Sequence, residues 1–265
     1  MSSVARYARQ LVLPEVGVVG QRRLQGARVA VVGCGGLGAP VVAQLAAAGI
    51  GHLGLFDDDS VEDSNLNRQL LFRVDQRGAR KADATAAFVR ALNPDVDVVS
   101  HVERVTLARA RHVFAAHDVV VDCSDGFPTK YLLNDVAVAT DTPLVHGAAT
   151  AWAGQVLVVP GRGGPCLRCL FPTLPAAATV PTCRTAGIIA PVTGVVGSLQ
   201  AAEVLKLVLG LPDLRGRLLA VDVKDGVTRT MRFDRDPDCV ACGEGAHDIA
   251  MRDSDYTMAT CDEES

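Results

Sequence analysis

The sequence predicts an α/β fold: a mostly parallel sheet flanked by helices, continuing into an antiparallel C-terminal part that carries a four-cysteine zinc knuckle. Three observations predict it. Short apolar runs alternate with helical stretches from residue 28 to residue 160, the pattern of a parallel sheet covered on both faces. One of those runs opens into glycines spaced G-x-G-x-x-G, in Val29–Val41 (VAVVGCGGLGAPV), the strand–turn–helix start of a Rossmann-like unit. Two Cys-x2-Cys pairs, 166/169 and 239/242, bracket the last elements, and four thiolates so paired are a structural zinc ligand set.

Residues 28–32 read as a buried strand and 36–49 as a helix rich in Ala and Val. HLGLFDDD (52–59) is a second strand ending in three acids, and 79–94 is a helix stopped by Pro94. DVDVVSHV (95–102) alternates as a strand, and DVVVDCSD (118–125) is a strand ending in polar residues. PTKYLLNDVAVAT (128–140) is helical, and PLVHGAAT and GQVLVVPG are further strands. The stretch GPCLRCLFPTLPAAATVPTCRTAG then lacks any period, which marks a long functional loop rather than a linker. A long, mostly apolar helix is expected over 192–210, and after it two strands, RLLAVDV and VTRTMRF. Residues 1–243 are expected to form a single domain with a nucleotide-binding half (1–145) and a zinc-bearing half (146–243). The polar, acidic stretch 244–265 is expected to be disordered.

Composition excludes several classes. The 265 residues are 49% hydrophobic and 21% charged, with a net charge of −4 and only 4% aromatics. Neither the charge nor the aromatic content provides a nucleic-acid footprint. The N-terminus has no signal-peptide core, and no stretch offers about 18 uninterrupted apolar residues. The reading is therefore cytoplasmic with no membrane partner, and eight cysteines in a reducing compartment point to metal or redox chemistry. Six histidines (52, 101, 112, 117, 146 and 247) show no metal-binding spacing, and no G-x-S-x-G acyl-hydrolase signature occurs.

The glycine turn places a phosphate without naming the nucleotide. Gly33, Gly35 and Gly38 allow a tight turn and close approach of phosphate to backbone N–H groups, and the helix starting near Gly36 adds its positive end. Asp57, about twenty residues on, stands where an acid accepts ribose hydroxyls, which suits NAD and ATP equally. The residues beyond it favour a triphosphate. Asn67, Arg68 and Gln69 lie just past the acids and Lys81 opens the next helix. Cations there offset charge on phosphoryl oxygens and on departing pyrophosphate. Asp125, at a strand end, is a lone carboxylate of the kind that binds Mg²⁺ together with phosphates.

Among the cysteines, Cys166, Cys169, Cys239 and Cys242 form a closed zinc set with no open catalytic position. Cys183 is unpaired in the irregular loop, beside Arg184, whose charge would raise its thiolate fraction. Cys34, Cys123 and Cys261 read as packing or tail residues.

These motifs together resemble the ThiF/MoeB/HesA family, bacterial relatives of the ubiquitin-activating enzymes. The resemblance runs from RYARQLVLPEVG (6–17) to CVACG (239–243) and rests on GCGGLG, SNLNRQ, RKADA, LNPDV, DCSD, GPCLRCLFP, CRTAG, GVVGSLQAAEVLKL and DPDCVACG. It implies an ATP-dependent adenylyltransferase that activates the C-terminal glycine of a ubiquitin-like sulfur-carrier protein ending in Gly-Gly. The acyl-adenylate would lead to a thiocarboxylate for thiamine thiazole, molybdopterin or a related product. The resemblance puts Gly36 against the ATP phosphates, Asp57 at the ribose, and Asn67, Arg68, Gln69 and Lys81 around the triphosphate, with Asp125 on Mg²⁺. It also implies a homodimer in which Arg9 or Arg68 crosses to the partner's site, a carrier-binding role for the 146–243 half, and a covalent link between Cys183 and the carrier. Two departures stand out. Gly126 stays in the nucleotide-contacting segment but replaces the family's usual Asn, and Lys130 replaces its usual Arg. No rhodanese-like segment comes after residue 243, so the sulfur donor is expected to be separate, a cysteine desulfurase or a rhodanese. Two rival readings are an NAD-binding oxidoreductase and an inactive zinc-stapled scaffold for a ubiquitin-like partner. Arg68, Lys81, Asp125 and the zinc pairs weigh against the first. The intact set of Arg9, Arg68, Lys81 and Asp125 weighs against the second.

Overall fold

The structure is a computed structural model that describes residues 3–176, 186–246 and 251–257. Its frame is one eight-stranded sheet: β1 (Arg28–Val32), β2 (His52–Phe56), β3 (Asp97–His101), β4 (Val119–Asp122), β5 (Leu144–Thr150), β6 (Ala153–Val159), β7 (Arg217–Asp222) and β8 (Val227–Arg232). The strand order is β3-β2-β1-β4-β5-β6-β7-β8. The first five strands in that order pair parallel, and β6, β7 and β8 add antiparallel, as the sequence predicts.

Period-two alternation explains the two-sided core. Val29 and Val31 of β1 enter one apolar cluster while Ala30 and Val32 enter the other. The first face is covered by α3 (Gly38–Ala48), α4 (Lys81–Leu92) and α8 (Ala190–Leu209); the second by α5 (Leu107–Ala116) and α6 (Phe127–Thr140). Burial on both sides is why β1 and β4 read as unbroken apolar runs. On the far edge all six residues of β8 are exposed, and Arg229 and Arg232 keep that edge polar.

Two helices precede the sheet, α1 (Ser3–Leu11) and α2 (Gly17–Gly26). They dock through polar groups: the Tyr7 hydroxyl accepts from Asn93 Nδ2 at 2.9 Å, and Gln21 Nε2 donates to Ala48 O at 3.0 Å. A short helix, α7 (Leu167–Leu170), stands in the expected long loop.

Helix α8 is, among the described helices, the one long and apolar enough to cross a membrane by length and composition, and half of it is buried in the fold. Its buried polar residues have partners: Gln200 Nε2 donates to Asp122 O at 2.8 Å, and Glu203 accepts from the Leu214 N–H at 2.9 Å. These bonds make it a core helix of this sheet.

Three expectations change in detail. The strand expected over 52–59 ends at Phe56, because the Asp57 carboxylate takes the N–H groups of Cys34 and Asp59 and turns the chain. The strand expected over 118–125 ends at Asp122, whose own carboxylate takes the Ser124 N–H. The stretch 244–265, expected to be disordered, contains a docked piece. Tyr256 is buried and donates to Asp135 Oδ2 at 2.9 Å, and Asp253 Oδ1 accepts from Leu107 N at the start of α5 at 2.9 Å.

Candidate active site

Between β1 and β4 the strand order reverses, and a cavity of about 1150 Å³ opens at the carboxyl ends of these strands, where open α/β sheets bind ligands. The volume exceeds the usual small-molecule range of roughly 300–1,000 Å³. Its walls run from the glycine turn across to Gln155, Asp222 and Arg229 on the antiparallel strands.

The glycine turn divides into two functions. Gly33 has φ +97°, and a Cβ there would lie 2.6 Å from Cys123 O; one on Gly38 would lie 2.1 Å from Gly33 O. These two let β1, β4 and α3 close on one another. Gly35 and Gly36 line the cavity at the start of α3, so the positive helix end faces it. A side chain on Gly36 would press on Thr193 at 3.1 Å.

Asp57 lines the same cavity; burial raises its pKa, which the N–H bonds from Cys34 and Asp59 oppose. Lys81 is only 6% exposed, sits at the first position of α4, and pairs with Asp59 at 2.8 Å. Arg68 also lines the cavity, its guanidinium braced by Ser64 O at 2.7 Å and Asn67 Oδ1 at 3.0 Å. Asn67 itself is exposed, outside the cavity lining. Gln69 is buried on the wall, and its Oε1 has no hydrogen-bond partner. Two cations and a helix N-terminus fit an anionic ligand, and the unsatisfied Gln69 acceptor calls for a donor such as a ligand hydroxyl or amine. Asp125 and Gly126 come directly after the β4 turn and line the cavity, Asp125 with an exposed side chain.

Arg9 lies exposed on α1, outside the lining of this cavity. Cys183 lies outside the described residues. Cys34 and Cys123 are buried and pushed up in pKa, foremost by burial, and so act as packing groups.

Sequence reasoning missed a buried polar cluster under the floor. Asp122 ends β4 with no exposure, His146 lies beside it on β5, and Lys130 reaches it from α6. Asp122 Oδ2 accepts from His146 Nδ1 at 2.7 Å and Lys130 Nζ at 3.3 Å; Oδ1 accepts from Ser124 Oγ at 2.6 Å and Ser124 N at 3.0 Å. Burial opposes ionisation of Asp122, but Lys130, His146 and Ser124 bring it down to about 2. Burial lowers the His146 pKa as well, leaving a neutral ring whose Nδ1–H points to the carboxylate. The carboxylate stands between serine and histidine, so nothing here activates Ser124 as a nucleophile. The signal for the cluster was a histidine and a lysine in otherwise apolar segments, which periodicity alone reads as surface.

At the other side of α6, four sulfurs gather. Cys166 and Cys239 Sγ are 3.7 Å apart, Cys169 and Cys242 3.3 Å, and Cys166 and Cys169 4.0 Å. A tetrahedral ion with Zn–S bonds of about 2.3 Å requires S···S separations of about 3.8 Å, so the donor set fits zinc. The four ligand atoms lie within 4.8 Å of one another. Bonds from Cys166 and Cys242 hold Cys239 as a thiolate, well below its usual pKa. Arg168, inside the first pair, grips Asp135 through two bonds of 2.8 Å, and Tyr131 holds Phe171 O and Thr173 O. The knuckle thus fixes the loop that forms one wall of the cavity.

Known proteins share this architecture and sequence. E. coli MccB superposes with a TM-score of 0.79 at 25% identity, over 92% of this chain and 73% of that one. The SAMP-activating enzyme E1 of Haloferax volcanii is 49% identical over 95% of this chain and 93% of its own length. The sulfur carrier protein adenylyltransferase of Thermus thermophilus is 46% identical over 90% of each. Against the adenylyltransferase and sulfurtransferase MOCS3 of Sus scrofa the chain is 49% identical but spans about half of that protein, 53%. The ThiF family matches residues 7–241, from the helix that carries Arg9 to the second Cys-x2-Cys pair, and the chain belongs to that family.

Proposed function

We propose that this chain is an ATP-dependent adenylyltransferase that activates the C-terminal glycine carboxylate of a ubiquitin-like sulfur-carrier protein. The observation that carries the reading is the convergence of Arg68, Lys81 and Asp125 on one cavity at the N-terminus of α3. Hydride transfer has no use for two cations at the far end of a nucleotide, whereas displacement at a phosphate requires them. The names of relatives that align over nine-tenths of this chain support the same class.

In this reading the carrier tail enters past Gln155 and Arg229, and its terminal carboxylate attacks the α-phosphorus. A P–O bond to the carboxylate forms as the bond to pyrophosphate breaks, giving acyl-adenylate and free pyrophosphate. The nucleophile is already ionised, so no general base is needed, and positioning dominates. Arg68 and Lys81 offset charge on the phosphates. Asp57 receives the ribose hydroxyls, and the Gly35–Gly36 backbone lies against phosphate. Gly126 gives backbone only. Asp125 would hold Mg²⁺, which would supply charge neutralisation at the phosphates. Zinc in the Cys166, Cys169, Cys239 and Cys242 set would be structural. A homodimer would bring Arg9, exposed on α1, to the partner's cavity, and Cys183 would take the activated carrier covalently. The sulfur donor would be a separate cysteine desulfurase or rhodanese, and the end product thiamine thiazole, molybdopterin or another thiolated compound.

ATP–pyrophosphate exchange with Mg²⁺ and carriers ending in Gly-Gly tests the reading. Carrier-dependent exchange is expected. No exchange with any such carrier, together with tight NAD binding, would overturn it.

A further inference from the structure

We infer that His146 is a positioning residue: it braces Asp122 so that Ser124 presents the neighbouring Asp125 carboxylate to the metal–phosphate end of the cavity. The inference rests on the reading of Asp125 as a ligand of that metal. It begins from saturation. A carboxylate has about four acceptor positions, and Asp122 fills them with four donors, two on each oxygen. The oxygen facing Ser124 fixes that residue at both its N–H and its hydroxyl. The other oxygen takes His146 at 2.7 Å and Lys130 at 3.3 Å, which makes His146 the closer of its two anchors.

The cluster is built into the fold rather than added to it. Asp122 and His146 are register partners across the β4–β5 pair. Gln200 holds the Asp122 carbonyl from α8, and Lys130 also donates to Gly147 O at 2.8 Å. Three elements therefore converge on the residue that precedes the 123–126 turn. His146 and Lys130 also form part of the lining of the cavity that Asp125 faces, whereas Asp122 lies behind them. His146 gives its Nδ1–H to Asp122, which couples the ring to Ser124 and Asp125 through that carboxylate. Removing it leaves a buried oxygen with one long bond, and the carboxylate must rotate toward Lys130 or admit water. Either movement releases Ser124 and lets Asp125 wander. Partners of metal-binding groups commonly contribute about tenfold or more to metal affinity in this way.

The test uses the full chain and the variants His146→Ala, His146→Asn and His146→Gln. The Asn amide nitrogen can take the place of Nδ1, whereas that of Gln lies where Nε2 does. Two readouts are taken: amide hydrogen exchange of the ligand-free protein over 122–127, and calorimetric affinity for ATP with Mg²⁺ or with EDTA. His146→Ala is expected to speed exchange at 124–126 about tenfold while β1 and α3 stay protected. It should also remove about tenfold of the Mg²⁺-dependent gain in ATP affinity and leave the EDTA value unchanged. Asn should restore both and Gln neither, which keeps the test decisive if the alanine variant folds poorly. Unchanged exchange at 124–126, equal loss of affinity with and without Mg²⁺, or equal behaviour of Asn and Gln would overturn the brace. Wild-type protein that binds ATP without any help from Mg²⁺, or fails to exchange pyrophosphate, would instead overturn the adenylation reading, and the exchange arm would still decide the brace.

Discussion

Lys81 and Asp59 meet at 2.8 Å across the rim of the cavity, the lysine almost wholly buried and the aspartate mostly exposed. The pairing answers a local problem. Lys81 stands at the first position of α4, where the helix dipole repels a cation, and among the described residues the Asp59 carboxylate and backbone hold it there. Lys81→Met should therefore fold, since it fills the same volume without the charge. It should lower ATP–pyrophosphate exchange by about 10²–10³, the usual effect of removing one group that stabilises developing charge. Asp59→Asn should weaken exchange far less, because the ammonium stays and only its aim is loosened. Steady-state exchange kinetics on both variants check this order.

Asp125 is exposed and, among the described residues, has no side-chain partner. Asp125→Ala should thus leave stability within about 0.5 kcal/mol, as for most surface changes. Pyrophosphate exchange should nonetheless be abolished at all accessible Mg²⁺ concentrations. Chemical denaturation paired with exchange assays measures both, and near-normal exchange would remove Asp125 from the metal site.

Much of this site was legible because its parts sit at strand ends. An apolar run of four residues, Val29–Val32, leading into glycines fixes where Gly33–Gly38 must go, and parallel pairing brings Asp57 and Asp125 to the same edge. Arg68 and Gln69 were legible by type and the four-cysteine cluster by spacing. The N-terminal pair of helices was not. Tyr7 and Gln21 dock by hydrogen bonds to Asn93 and Ala48, contacts between distant segments that a local sequence pattern does not reveal. Asn67 was placed among the phosphate ligands on its neighbourhood in sequence, but the 3-10 turn at Asp63–Asn65 directs it outward to brace Arg68. The Asp122 cluster was hidden for a similar reason: its members come from three elements, and only register brings His146 to Asp122.

Acid should destabilise the protein in two stages. His146, His117 and His101 have lowered pKa values, chiefly by burial. The unfolded chain therefore binds protons that the folded one refuses, and stability falls as pH drops below the ordinary histidine value of about 6.5. Asp122 acts lower down. Its folded pKa of about 2 lies below the ordinary aspartate value of 3.8, so its contribution is complete above that value and is lost as pH falls toward the folded one. The difference corresponds to on the order of 2 kcal/mol. Urea denaturation from about pH 8 to about pH 3 should show both declines, and His146→Asn should flatten part of the first. A midpoint that rises on acidification would contradict the assignment.

The zinc knuckle should act on the cavity through Arg168. Cys166 and Cys169 flank that arginine, which clamps Asp135, and Asp135 in turn receives the Tyr256 hydroxyl. Loss of one ligand, as in Cys239→Ser, or stripping by a strong chelator, should reduce zinc from about one ion per chain to near none. Without the ion, the four sulfurs are no longer drawn to one centre and cease to fix the 166–173 loop. Proteolysis should then cut first in that loop and after Gly243, while the β1–α3 unit stays protected. ATP affinity should change little, because Gly35, Asp57 and Lys81 lie on other elements. Carrier-dependent exchange should fall, because the wall at Phe171 and Thr173 is displaced. Metal analysis, limited proteolysis and exchange assays on the same preparation measure the three effects. Equal loss of ATP binding and exchange would mean that the zinc supports the whole fold rather than one wall of the site.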